Sequence, residues 1–217
     1  MRMRKKHWAK DMIAQRSDCV IAVPEEMKGH WSELADGREI RVEIGSGKGD
    51  YWISMAHLYP DCLWIAVEKD ESCVGIALKK CLDNTTSNMK IINGDATDID
   101  KWFDENEVDV IHLNFSDPWP KKRQTKRRLT YGTFLQQYNR ILKKGGRVIM
   151  KTDNVTLFEY SLVSFDENGW HLKEVSVDYR RDPHQEDAIT EYEASFMELG
   201  QPIYRAMWQV EKEVCHD

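Results

Sequence analysis

The chain has 217 residues, 41% of them hydrophobic and 31% charged, which suits one well-buried domain and excludes a disordered chain. No apolar run approaches the roughly 20 residues of a membrane span, and the basic start at Arg2, Arg4, Lys5 and Lys6 leads into no apolar signal core, so a cytoplasmic protein without membrane contact is expected. The net charge of −6 argues against nucleic acid, but Lys121, Lys122, Arg123, Lys126, Arg127 and Arg128 gather six cations into one short stretch, and a local basic patch on an acidic chain is informative.

Residues 1–35 show little hydrophobic periodicity and read as a basic arm and lead-in, followed by a single domain over 36–217. Strands and helices then alternate. The pattern predicts strands over 41–44, 63–67, 89–92, 108–113 and 147–150, with helices over 51–58, 71–81, 134–142 and 157–165. Gly145 and Gly146 read as the stop signal of the third of these helices. Residues 172–177 and 203–210 complete the set as two closing strands. Alternation of this kind predicts an α/β fold with a largely parallel sheet, whose ligands bind beyond the C-terminal strand ends. The five cysteines, Cys19, Cys62, Cys73, Cys81 and Cys215, form no C-x-x-C pair and no zinc spacing with histidine, so reduced thiols and no metal site are expected.

Gly45, Gly47 and Gly49 lie between a predicted strand and helix, where glycine permits a tight turn and close backbone approach to a ligand. A phosphate-cradling loop would need G-x-x-x-x-G-K-[ST], which is absent, and the dinucleotide fingerprint needs its third glycine one place later. Glu43, just before the loop, is a poor neighbour for a pyrophosphate and a good one for an ammonium. The next three strands also deliver carboxylates, Glu68, Asp95 and Asp117. Glu68 follows Gly49 by 19 residues, close to the spacing of the acid that bonds ribose hydroxyls in nucleotide-binding α/β folds. Such an acidic rim selects a ligand with hydroxyls, amino groups and positive charge, as in S-adenosyl-L-methionine.

After the fourth strand comes Asn114-Phe115-Ser116-Asp117-Pro118-Trp119-Pro120, stiffened by two prolines. Trp119 is suited to stack on a purine, worth about 1–3 kcal/mol, and Asp117 to accept from ring N–H or amino groups. The cations that follow suit RNA phosphates, which position a substrate without specifying its sequence. Thr190-x-x-Glu193 has the spacing of a helix capping box, and Asp153 the position of a cap for the helix after the fifth strand.

The segment from Asn114 to Arg123, with Lys126-Arg127-Arg128-Leu129-Thr130, resembles the signature of bacterial tRNA (guanine-N7)-methyltransferases. Val42 to Gly49, Lys151-Thr152-Asp153-Asn154, Thr190-Glu191-Tyr192-Glu193 and Gly200 to Arg205 agree with it. The resemblance implies a Rossmann-like class I methyltransferase fold, with a mostly parallel seven-stranded sheet, helices on both faces and a final antiparallel strand. It implies cofactor contacts from Glu43, Glu68, Asp95 and Asp117, with Asp117 at the reaction centre. Substrate contacts are implied for Lys121, Asp153, Thr190, Glu191, Tyr192 and Glu193, and RNA contacts for Arg123, Lys126, Arg127 and Arg128. The implied target is the guanine of the tRNA variable loop; the assembly, monomer or homodimer, is left open by the sequence. Gln124 stands where the family often has histidine, and residues 178–189 match no familiar pattern. Two other readings stay open: methyl transfer to another RNA base or a small molecule, and a non-catalytic protein that binds S-adenosyl-L-methionine and RNA.

Overall fold

The structure, a computed structural model, describes residues 4–210 and 212; Arg2 and Cys215, named above, lie outside them. The strands are β1 Glu39–Ile44, β2 Cys62–Glu68, β3 Met89–Asn93, β4 Val108–Asn114, β5 Leu142–Thr152, β6 His171–Ser176 and β7 Tyr204–Gln209. They form one sheet in the order β3-β2-β1-β4-β5-β7-β6, parallel from β3 to β5, with β7 antiparallel to both β5 and β6. The helices are α1 Ala9–Gln15, α2 Trp31–Ala35, α3 Asp50–Leu58, α4 Glu71–Lys80, α5 Ile99–Trp102, α6 Gly132–Ile141, α7 Val155–Glu167 and α8 Glu191–Glu198. None of the described helices is long and apolar enough to cross a membrane.

The alternation within β2 shows how the layers form. All seven of its residues are buried, as expected of an inner parallel strand covered on both faces. Leu63, Ile65 and Val67 pack into one core with α2, α5, α6 and α7, while Trp64 and Ala66 pack into a second with α3 and α4. In α6 the apolar face is Phe134, Leu135, Tyr138 and Ile141, at helical spacing.

Two sequence expectations change. The described part of the lead-in is built into the body of the domain. Ala9 of α1 lies against Gly75 of α4, Val20 forms a parallel bridge to Ile91, and fully buried Trp31 stacks on Phe103 at 4.8 Å. Helices of seven and five residues are too short for their periodicity to register. Second, Gly145 and Gly146 do not stop α6, which ends at Ile141 and passes straight into β5. The glycines sit in a bulge of β5, where pairing with β4 jumps from Val108–Leu142 to Val110–Arg147.

The chain winds outward from β1 to β3 on one side and from β4 to β5 on the other. β1 and β4 are neighbours, so a crevice opens beyond their C-terminal ends.

Candidate active site

The glycine loop leaves β1 at this crevice. Gly45 and Ser46 donate their N–H groups to Val67 O at 2.8 and 3.2 Å, tying the loop to β2. Gly47 has a φ of +55° and donates to Glu68 Oε2 at 2.9 Å, while Asp70 N donates to Glu68 Oε1 at 2.8 Å. Glu68 thus holds the loop and the start of α4 together. A Cβ at Gly45 or Gly47 would meet nothing within 4 Å, so these positions are open on the ligand side, whereas one at Gly49 would lie 2.7 Å from Ala77 Cβ.

Glu43, at the end of β1, is 2% exposed. Its Oε1 accepts from Asn114 Nδ2 at 3.0 Å, and its Oε2 has no partner among the described residues. Burial pushes its carboxyl up to about 7, against the lowering effects of the Asn114 bond and nearby Lys151. Two adjoining cavities share Gly45, Phe115 and Asp117 in their walls. The larger, about 620 Å³, adds Glu43, Gly47, Tyr51, Thr190, Glu191 and Tyr192. The smaller, about 220 Å³, adds Glu68, Asp95, Trp119 and Arg127. Small-molecule sites span roughly 300–1,000 Å³, and the larger cavity falls in that range. The four strand-end carboxylates therefore surround one crevice.

The loop after β4 is held in an unusual shape. Phe115 and Trp119 have φ of +50° and +40°, left-handed values that cost a bulky residue about 1–3 kcal/mol each. Two contacts offset that cost. The Phe115 ring packs on Tyr192 at 5.3 Å and Phe196 at 6.5 Å, which joins the loop to α8. Arg128 turns inward, donating from Nε to Pro118 O at 2.9 Å and from Nη2 to Trp119 O at 3.3 Å, with its guanidinium 4.2 Å from the Tyr160 ring centre. This corrects the expectation that Arg128 faces RNA: at 7% exposure it is a brace of the loop. Lys121, Arg123, Lys126 and Arg127 are exposed, and the Arg127 guanidinium lies 5.0 Å from the Trp119 ring centre.

Three more positions are redrawn. Thr190 caps α8 by accepting from Glu193 N at 3.0 Å, but the Glu193 carboxylate does not return the bond. Glu193 is fully buried, committed to Lys151 and Arg180, so it makes no direct rim contact like that expected of Thr190, Glu191 and Tyr192. The cap of α7 is Asn154, which accepts from Leu157 N at 2.8 Å, and not Asp153. Asp153 is half-buried, and burial raises its carboxyl. The Tyr192 phenol is raised by burial and, to a lesser extent, by the Asp153 and Asp117 carboxylates. Sequence reasoning missed Tyr51, His112, Lys151, Arg180 and Asp187, a buried polar group of which Tyr51 lines the larger cavity. Its one readable signal is Lys151, a charge ending the apolar run Val148-Ile149-Met150.

A family model described as "Putative methyltransferase" matches residues 37–206. A tRNA (guanine-N(7)-)-methyltransferase of Oceanobacillus iheyensis is 45% identical over 213 residues, covering 98% of this chain and 100% of that one. A relative of the same name from Bacillus subtilis is 45% identical over 207 residues, covering 95% and 97% of the two chains. Among solved structures, the 16S rRNA methyltransferase KamB superposes with a TM-score of 0.65 at 13% identity, over 85% of this chain and 94% of that one. An antibiotic-related methyltransferase does so with a TM-score of 0.64 at 15% identity, over 84% and 94%. These last two likenesses bear on the fold alone, which is the Rossmann-like fold of class I methyltransferases.

Proposed function

The chain belongs to the tRNA (guanine-N(7)-)-methyltransferase family, and on that premise we propose that it transfers the methyl group of S-adenosyl-L-methionine to N7 of the variable-loop guanine of tRNA, in the cytoplasm. The observation that carries this reading is the convergence of Glu43, Glu68, Asp95 and Asp117 with the glycine loop on one crevice, bordered by a stiff loop that runs into exposed cations.

The crevice fits that cofactor. Unpartnered, buried Glu43 Oε2 offers an anionic acceptor for an ammonium, and Gly45 and Gly47 leave open space beside it. Glu68 with Asp95 lines the adjoining cavity, where carboxylates suit ribose hydroxyls and an adenine amino group. When bound, the cofactor supplies an electrophilic methyl group on a sulfonium.

Guanine N7 carries an in-plane lone pair and no proton, so the reaction needs no strong general base. The protein's task is alignment. Asp117, exposed and shared by both cavities, orients the base and stabilises the positive charge that reaches the purine. Trp119 offers a stacking face, and Thr190, Glu191 and Tyr192, which line the larger cavity, contact the acceptor together with Lys121 and Asp153. Arg123, Lys126 and Arg127 meet tRNA phosphates, so affinity falls as salt rises.

Replacing Asp117 tests the role. Asp117→Ala is expected to lower turnover by about 100-fold or more, with cofactor affinity partly kept, as read by single-turnover labelling and calorimetry. Near-normal turnover would remove Asp117 from the reaction centre.

A further inference from the structure

The segment between β6 and α8 matched no motif, yet it supplies two members of a closed ring of buried charge. Lys151 Nζ lies 2.6 Å from Asp187 Oδ2 and 3.1 Å from Glu193 Oε2. Arg180 lies 2.6 Å from Glu193 Oε1 through Nε and 2.5 Å from Asp187 Oδ2 through Nη2. No side chain of the four is more than 11% exposed. The ring joins the end of β5, the 178–190 segment and the first turn of α8.

A buried ion cluster adds little net stability over apolar packing, because desolvating the charges cancels most of their attraction. Its four contacts tie three separate segments to one another. The ring also has an outlet toward the cofactor side. Tyr51, in the first turn of α3, donates its hydroxyl to Asp187 Oδ1 at 2.9 Å. The Tyr51 hydroxyl oxygen also lies 3.2 Å from His112 Nδ1. A phenol has one proton, and here it is donated in the hydrogen bond to Asp187 Oδ1, so the His112 Nδ1–H donates to the phenol oxygen. Burial keeps that imidazole neutral, with its pKa well below the ordinary value. Tyr51 lines the large cavity alongside Glu43 and Gly47, and Thr190 and Tyr192 line it too.

We propose that Asp187 is a positioning residue: bonded to Tyr51 on one side and to Lys151 and Arg180 on the other, it holds the Thr190–Tyr192 rim in register with the glycine loop, and so couples cofactor binding to tRNA binding. The proposal rests on the methyl-transfer reading above. Neither Asp187 nor Tyr51 need touch the guanine. Each acts through the placement of groups that do.

Tyr51→Phe removes the one hydroxyl and leaves the ion ring intact, so it tests the link without burying an unpaired charge. Asp187→Asn is the companion variant. In the wild-type protein, saturating tRNA is expected to tighten cofactor binding by about tenfold, a typical coupling. In Tyr51→Phe that factor should fall toward one. Turnover at saturating tRNA should drop on the order of 10–100-fold, the cost of slight misplacement, and by linkage the tightening of tRNA binding by the cofactor should fall by the same factor as the coupling. The double variant should lose no more than Asp187→Asn alone. An unchanged coupling factor and turnover in Tyr51→Phe, or losses that multiply in the double variant, would overturn the proposal. Turnover loss that merely follows a lowered Tm and recovers on cooling would do the same. A wild-type protein that moves no methyl group to tRNA would overturn the functional reading, and this proposal with it; active wild type with indifferent variants would overturn the proposal alone.

Discussion

At the end of β1 a carboxyl sits out of water with one bonded and one unbonded oxygen, and its proton affinity follows from that setting. Burial raises Glu43 from its ordinary 4.5 to about 7. The folded protein therefore holds this proton over a range where the unfolded chain has lost it. Its stabilising effect is complete below about 4.5 and is lost as pH rises through about 7. A cationic ligand acts in the opposite sense, since it favours the carboxylate. Cofactor binding near pH 7 should release a fraction of a proton, seen by calorimetry in buffers of different ionisation enthalpy, and affinity should rise with pH across that value. Glu43→Gln should bind more weakly and lose this component of the release; the same release in that variant would contradict the assignment. Arg128 gives a second residue-level test. Lysine cannot reproduce a guanidinium that spans two carbonyls and stacks on a ring, so Arg128→Lys and Arg128→Ala should both lower turnover while the salt slope of tRNA binding stays as in wild type. A shallower slope would return Arg128 to the phosphate contacts. Its inward turn was not legible in the sequence, nor was the burial of Glu193, because their partners lie in other segments. The positions of the glycine loop and of Glu43, Glu68, Asp95 and Asp117 were legible, because each lies within a few residues of the end of a predicted strand.

Among the elements, α1 and α4 show how packing overrides propensity. Gly75 lies inside α4, where alanine is normally better by about 0.8–1.0 kcal/mol. A Cβ there would stand 2.5 Å from Ala9 Cβ and 2.7 Å from Ala9 Cα, and the second of these is backbone. Overpacking of this kind costs about 1–3 kcal/mol. Gly75→Ala should therefore lower the denaturant midpoint with an unchanged slope, and a stabilised variant would mean that α1 does not lie along α4. The sequence could not reveal this contact, since Gly75 interrupts a helical pattern for no local reason. The parallel strands were readable because inner strands are apolar throughout, as in β2, and β6 and β7 were found as well. The bulge at Gly145 and Gly146 was misread because the same glycine pair also serves as a helix stop, and only pairing with β4 separates the two.

Across the whole molecule, charge is divided by task. The chain carries a net −6, and its acids include the four strand ends that face the crevice, while the exposed cations at Lys121, Lys122, Arg123, Lys126 and Arg127 follow the loop that carries Asp117. A polyanion is thus attracted beside the crevice of a chain whose remaining charges sum to a net negative value. The sheet order puts the switch between β1 and β4 at that place, joining the glycine loop to the Asp117 loop. The 178–190 segment was opaque to sequence reading because its charges are internal. The most direct measurement is methyl transfer from labelled S-adenosyl-L-methionine to an unmodified tRNA transcript and to one whose variable-loop guanine is replaced by 7-deazaguanine, which lacks only the N7 acceptor. Label on the first and none on the second is the expected result. Equal label on both would place the methyl group on another atom or base and contradict the function proposed for this chain.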